Sequence, residues 1–179
     1  MLTIENSLLL VVDFQQRLMP SIHKNEEIER KMEIMIKCCR ILNVPIIVTQ
    51  QYTKGLGGTV DLLSNALAEY EPIEKITFSC YRNAKFRDML NNTGKANIIV
   101  TGIETHICVL QTVMDLLDNG YQAFVVADCI GSRSETDNAY AEKRMEKAGA
   151  ILTTMESVLF EILARADHPK RKEISALLK

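Results

Sequence analysis

Four short apolar runs punctuate the chain: Leu8 to Val12, Pro45 to Val48, Ile98 to Val100 and Ala123 to Ala127. Apolar and polar positions do not alternate within them. A half-buried strand shows one apolar and one polar face, so near-continuous β-branched runs predict strands covered on both sides, as in a parallel sheet between helical layers. Between the runs the period changes. From Glu26 to Leu42 the residues Ile28, Met32, Met35, Ile36, Cys39 and Leu42 recur at threes and fours, with Glu and Lys opposite them, which predicts an amphipathic helix. Ile107 to Asp118 repeats the pattern through Leu110, Val113, Met114 and Leu117 and stops at Asn119-Gly120. Glu135 to Lys147, ahead of Gly149, predicts a third helix. Weaker strands are expected at Ile73 to Thr77 and Ile151 to Thr154, and a last helix at Lys170 to Leu178.

Strand followed by helix, repeated along most of the chain, predicts an α/β fold of three layers, α/β/α, with right-handed crossovers. No repeat, low-complexity tract or linker divides the chain, so residues 1–179 are expected to form a single domain. At this length burial of roughly 70% of the unfolded surface suffices without staples. The odd count of five cysteines, with no CxxC or Cys/His spacing, fits thiols in a reducing, cytoplasmic setting and not a zinc site or disulfide framework. No apolar stretch approaches the roughly 18 residues of a membrane span. The opening MLTIENSLLLVVDF reads as a strand and not a signal peptide. A net charge of −2, a pI near 6.0 and the absence of basic blocks argue against nucleic-acid partners.

In an open parallel sheet, ligands bind beyond the carboxyl ends of the strands, which singles out a short list of residues. Asp13 follows the first run, Gln50 and Gln51 the second, Lys75 and Ser79 flank the weak third strand, Gly102 to Cys108 follow Val100, and Asp128 follows Ala127. Cys108 is placed in the first turn of a helix, where unpaired amides and the helix dipole stabilise a thiolate. Cysteine is also a common buried packing residue, and position alone leaves both readings open. Asp13, directly after a doubly covered strand, needs a cationic partner or caps a turn, and Lys75 taken alone reads equally as a solvated edge residue; a cysteine nucleophile would need both, a base or counter-charge and a group to hold it. His106 precedes Cys108 by two residues and points elsewhere, and Cys80 and Cys129 lie near strand ends without a helix start. Gln50 to Thr59, QQYTKGLGGT, carries three glycines and reads as a lid or pocket wall. No GxGxxG follows the first strand and GLGGT lacks the lysine of a P-loop, so no nucleotide cofactor is expected.

Four segments occurring in order, LLLVVDFQ, EKITFSCY, TGIETHICVLQT and VVADCIGSRSETDNAYAEKRMEKAGA, resemble the isochorismatase-like cysteine hydrolases, from about Ser7 to Phe160. The loop VTQQYTKGLGGTV is most similar to that of the isochorismatase domain-containing proteins. The resemblance implies a doubly wound six-stranded parallel sheet, a catalytic triad of Asp13, Lys75 and Cys108, a cis peptide between Ile103 and Glu104, and an oxyanion hole formed by the backbone amides of Glu104 and Cys108. It also implies a homo-oligomer, with a neighbouring subunit helping to close the pocket. The nicotinamidase branch holds a metal with an aspartate and histidines after the second strand. QQYTKGLGGT has neither, so no metal is expected. Glu104 is large and charged where the family commonly has small residues, which narrows the pocket. The expected pocket wall is Phe14, Gln51, Tyr52, Phe78 and Tyr81, suited to a small-molecule substrate. Retention of Cys108 favours cleavage of an amide or related C–N bond over vinyl-ether hydrolysis; a catalytically weak binding or scaffold protein is the competing class.

Overall fold

The computed structural model describes residues 1–179. Six parallel strands form one sheet in the order β3-β2-β1-β4-β5-β6: β1 Ser7–Val12, β2 Ile46–Gln51, β3 Ile73–Lys75, β4 Asn97–Ile103, β5 Gln122–Gly131 and β6 Ile151–Thr153. The helices are α1 Asn25–Ile41, α2 Thr53–Leu56, α3 Asp61–Leu67, α4 Ala84–Thr93, α5 Leu110–Asp118, α6 Glu135–Lys147, α7 Met155–Leu163 and α8 Arg171–Leu177. The doubly wound three-layer α/β fold is therefore as expected. The order reverses between β1 and β4, the topological switch point where such sheets gather their chemistry.

Side-chain period explains the two cores. Leu9 and Val11 of β1 face the layer of α1, α3 and α7 together with Val48, Ile99, Phe124 and Val126. Leu8, Leu10 and Val12 face α4, α5 and α6 with Ile98, Val100, Ala123 and Val125. Both faces of β1 are fully enclosed, which is why its sequence does not alternate.

At the carboxyl ends the backbone is specialised. Asp13 ends β1 in the left-handed region at φ 54°, where Asn and Asp are tolerated better than most residues. Gly102 of β4 has φ 143°, and a Cβ there would lie 2.6 Å from the Val12 carbonyl oxygen and 2.4 Å from its Cβ. Only glycine lets β4 approach β1 this closely. Across β5 the register jumps from Val100↔Val125 to Gly102↔Ile130, so extra β5 residues bulge out of the pairing.

This bulge corrects one expectation. Asp128 does not stand at a strand end facing the switch point; β5 runs on to Gly131, and the Asp128 carboxylate accepts the amide of Met155 at 2.8 Å and Lys31 Nζ at 3.0 Å. It fastens the start of α7 and the side of α1. The glycine-containing loop is also more ordered than anticipated: Thr53–Leu56 forms one helical turn. The buried Gln15 ties the loop down, donating to the carbonyls of Gln51 and Gly57 at 3.0 and 2.7 Å and accepting the Gln51 amide at 2.6 Å.

Candidate active site

Asp13, Lys75 and Cys108 come from β1, β3 and the turn after β4 and meet around the switch point. The Asp13 and Lys75 side chains are both 0% exposed, and Lys75 Nζ donates to Asp13 Oδ2 at 2.6 Å. The ammonium also donates to Gln51 Oε1 at 2.8 Å and to the carbonyls of Phe78 and Thr77 at 3.0 and 3.3 Å. Thr49, paired in register with Val12 on the neighbouring strand, donates its hydroxyl to Asp13 Oδ1 at 2.8 Å. Both carboxylate oxygens are thus held. Burial alone pulls the Lys75 ammonium down, but the Asp13 charge, with the thiols of Cys80 and Cys108, outweighs it and holds the group above the ordinary lysine value.

Cys108 departs from its expected setting. It lies in a π-helical turn, Thr105–Val109, whose widened bonds include Val109 N to Glu104 O at 3.3 Å, and the α-helix begins only at Leu110. π-turns of this kind are frequent at functional sites. Nor is the cysteine a standing thiolate: burial first, and then the Asp13 charge, push its thiol far above the ordinary value, with Lys75 opposing them. Asp13 and Lys75 are the charged groups that act on this thiol. At 6% exposure Cys108 is nevertheless the least enclosed of five buried thiols, the other four being at 0%.

The peptide between Ile103 and Glu104 is cis. The Glu104 carboxylate turns to Arg133 Nε at 2.8 Å, and the only polar atom of the Thr105 side chain is buried without a partner. His106 Nδ1 lies 2.9 Å from Ser132 Oγ, engaged away from the thiol.

The expected pocket wall divides. Gln51 reaches the site, but as an acceptor for Lys75. Tyr52 and Phe78 are half exposed, and Ile76, directly after β3, is 72% exposed. Phe14 is not on the wall: at 1% exposure it packs in the α1-side core, because the left-handed bend at Asp13 turns the next side chain inward. Tyr81 is also displaced, its ring packed edge-on against Tyr121 at 6.0 Å, next to the amino end of β5. Thr49 and Thr112 belong to the site although sequence reasoning does not single them out, and Cys80, read there only as near a strand end, lies within it. Cys80 Sγ lies 3.6 Å from Thr49 Oγ1, and the Cys80 amide donates to Thr112 Oγ1 at 2.9 Å, which in turn donates to the Cys108 carbonyl at 2.7 Å.

Two clefts flank this cluster. One of about 720 Å³ runs along the outer edge of β3 past Tyr52, Ile76 and Asn83; the other, about 410 Å³, lies between α1, the end of β5 and α6. Lys75 stands in the wall of the first, and neither reaches Asp13 or Cys108. The second is the better enclosed, and its His23–Glu135 pair and Asp128–Lys31 pair are already satisfied. No three His, Cys, Asp or Glu side chains converge to hold a metal ion, and no helix is long and apolar enough to cross a membrane.

Known proteins place this geometry. The family model described as the isochorismatase domain matches residues 7–157. Isochorismatase family protein 1A of Dictyostelium discoideum is 38% identical over 175 residues, covering 96% of this chain and 85% of that protein. Among solved structures, MAR1 ribonuclease from Caenorhabditis elegans superposes with a TM-score of 0.93 at 44% identity, covering 99% of this chain and 91% of that one. The YcaC gene product of Escherichia coli, described as an octameric hydrolase of unknown specificity, superposes with a TM-score of 0.88 at 25% identity, over 98% and 86% of the two chains. With the matched domain spanning nearly all of the sheet, the chain belongs to the isochorismatase family, a hydrolase fold.

Proposed function

We propose that this protein is a metal-independent cysteine hydrolase that cleaves an amide or related C–N bond of a small molecule. The observation that carries the reading is a fully buried carboxylate, held on both oxygens by Lys75 and Thr49, beside a protonated Cys108 thiol. A thiol needs a base within reach and a group that orients the base. Asp13 takes the Cys108 proton as sulfur attacks the carbonyl carbon, and the amides of Glu104 and Cys108 stabilise the oxyanion. The Glu104 amide makes no hydrogen bond within the chain, which leaves it free for this role. Asp13 then returns the proton to the leaving nitrogen as the C–N bond breaks. Water, deprotonated by Asp13, hydrolyses the thioester and restores the thiol. Lys75, bonded to Asp13 Oδ2, pairs with its charge throughout.

The active form is a cytoplasmic homo-oligomer. Its support is the exposed apolar rim of Tyr52, Ile76 and Phe78 beside the site, and the octameric state described for the YcaC relative. A second reading, RNA hydrolysis, is favoured by one observation, the 44% identity to a protein described as a ribonuclease. Against it stand the net charge of −2 and a buried site, neither suited to a polyanion. The deciding experiment incubates the protein with a panel of small amides, esters and a single-stranded oligoribonucleotide, with mass spectrometry of Cys108. A thioester adduct on an accepted amide, and its loss in Cys108→Ala, is the expected result. Equal turnover by Cys108→Ala, or cleavage of RNA alone, overturns it.

A further inference from the structure

The triad mechanism leaves one nucleophilic group unused. Cys80 is fully buried in the middle of the site, and its two polar groups run to opposite sides of the catalytic pair. Its amide reaches the Cys108 carbonyl through Thr112. Its thiol reaches Asp13 through Thr49. The direction of the second chain follows from counting protons. Thr49 has one hydroxyl proton, and Asp13 Oδ1, a carboxylate oxygen at 2.8 Å, can only accept it. The Thr49 oxygen can therefore only accept from Cys80 Sγ at 3.6 Å, so the thiol is the donor.

We propose that Thr49, backed by the Cys80 thiol, is a positioning residue that holds Asp13 through Oδ1 in the orientation needed for the reaction with Cys108. This rests on the triad reading of the site and adds to it. Three properties suit Thr49 to this role. It is 0% exposed, it is β-branched and therefore stiff about its first side-chain torsion, and it projects from a strand paired in register with the one that ends at Asp13. With Lys75 on Oδ2 and Thr49 on Oδ1, the carboxylate plane cannot rotate without losing a charge-assisted hydrogen bond. The arrangement requires Cys80 to keep its proton, in accord with burial, opposed by Lys75, pushing that thiol up to about 11. The titratable groups facing Asp13 are Lys75, Cys80 and Cys108.

The test needs no natural substrate. The rate of Cys108 alkylation by iodoacetamide is followed by peptide mass spectrometry from mildly acidic to alkaline pH, for the parent, Thr49→Val, Thr49→Ser, Cys80→Ala and Asp13→Asn. Valine keeps the shape of threonine but donates nothing, so the charged carboxylate loses a hydrogen bond and becomes more basic. Thr49→Val is expected to move the acidic limb of the profile up by about one pH unit, and so to slow alkylation about tenfold at pH values on that limb, the equivalent of losing one bond to a charged group. Thr49→Ser restores both, which a purely structural role for the residue would not predict. Cys80→Ala moves the limb the same way by less. A Thr49→Val profile superimposable on the parent, while Asp13→Asn abolishes the acidic limb, overturns this proposal and leaves the triad standing. A parent limb unchanged by Asp13→Asn overturns the triad and the proposal with it. Should Thr49→Val not fold, an unshifted Cys80→Ala profile overturns the proposal.

Discussion

Replacing Lys75 by methionine keeps most of the side-chain length and deletes only the ammonium. Four acceptors then lose a donor: Asp13 Oδ2, Gln51 Oε1 and the carbonyls of Phe78 and Thr77. The carboxylate stays buried with Thr49 alone to satisfy it, and must either bear an unpaired charge or take up a proton. Because both side chains are 0% exposed, solvent does not screen the loss, and breaking such a pair costs about 3–5 kcal/mol. For a chain of this size that lowers the melting temperature by about 10 °C. The cost arises from the stranded charge and not from the pair itself, so the double variant Asp13→Asn/Lys75→Met should recover most of it. Asparagine also tolerates the left-handed backbone at φ 54°. Linkage adds a second signature. The folded ammonium is held above its unfolded value of 10.5, so its contribution is fully present below that pH and is lost as pH rises through the raised folded value. The stability gap between the parent and Lys75→Met is therefore flat through neutrality and closes in strong alkali. Urea unfolding of the three proteins at neutral and alkaline pH measures this. A single variant within ~1 kcal/mol of the parent, or a double variant as unstable as the single, would refute the reasoning.

Three further outcomes are expected. Gly102→Ala places a methyl group 2.6 Å from the Val12 carbonyl at a positive φ and should cost about 3 kcal/mol in urea unfolding; an unchanged midpoint would show that the close β1–β4 approach is not required. Limiting iodoacetamide, followed by peptide mapping, should label Cys108 before the other four thiols, and slowly, because burial and Asp13 keep it protonated; prior labelling of Cys38 or Cys80 would contradict the site geometry. Sedimentation equilibrium should give a mass well above 20.2 kDa, and replacing Ile76 and Phe78 together by glutamate should return it to that value; a parent mass of 20.2 kDa across a tenfold concentration range would remove the oligomer from the reading.

The four strong strands are legible in the sequence because burial on both faces leaves a run of apolar residues that nothing else in a chain this size produces. β3 and β6, three residues each, carry too little pattern to bound, and the apolar signal overruns their true ends. The helices α4 and α7 have readable signals that periodicity from charge-rich segments does not emphasise. Asn83 accepts the Phe86 amide at the start of α4, Gly94 ends it at φ 63°, and Met155, Val158, Leu159 and Ile162 of α7 recur at threes and fours. In the site, Asp13 stands out because a charge directly after a buried strand needs a partner, whereas Lys75 alone reads as an edge residue and gains weight only beside Asp13 and Cys108. Thr49 and Thr112 do not, since a threonine near a strand or in a helix is ordinary until a neighbouring element brings an acceptor to it. The setting of Cys108 escapes the sequence for a related reason. A helix-start argument assumes exposed amides, whereas packing of the π-turn against β4 and α6 encloses the sulfur and reverses the sign of the effect.

The lysine that anchors the whole cluster is the last residue of β3, a three-residue strand at the margin of the sheet, bonded on one side only. Margins of this kind open first, in excursions far smaller than global unfolding. Each time β3 frays, the ammonium leaves the carboxylate although the sheet behind it is intact, and under the proposed mechanism reaction at Cys108 stops with it. Competence for reaction is thus a property of the weakest element and not of the fold as a whole. Mild heat or low denaturant should silence the thiol while amide exchange at β1 and β4 still reports a closed interior.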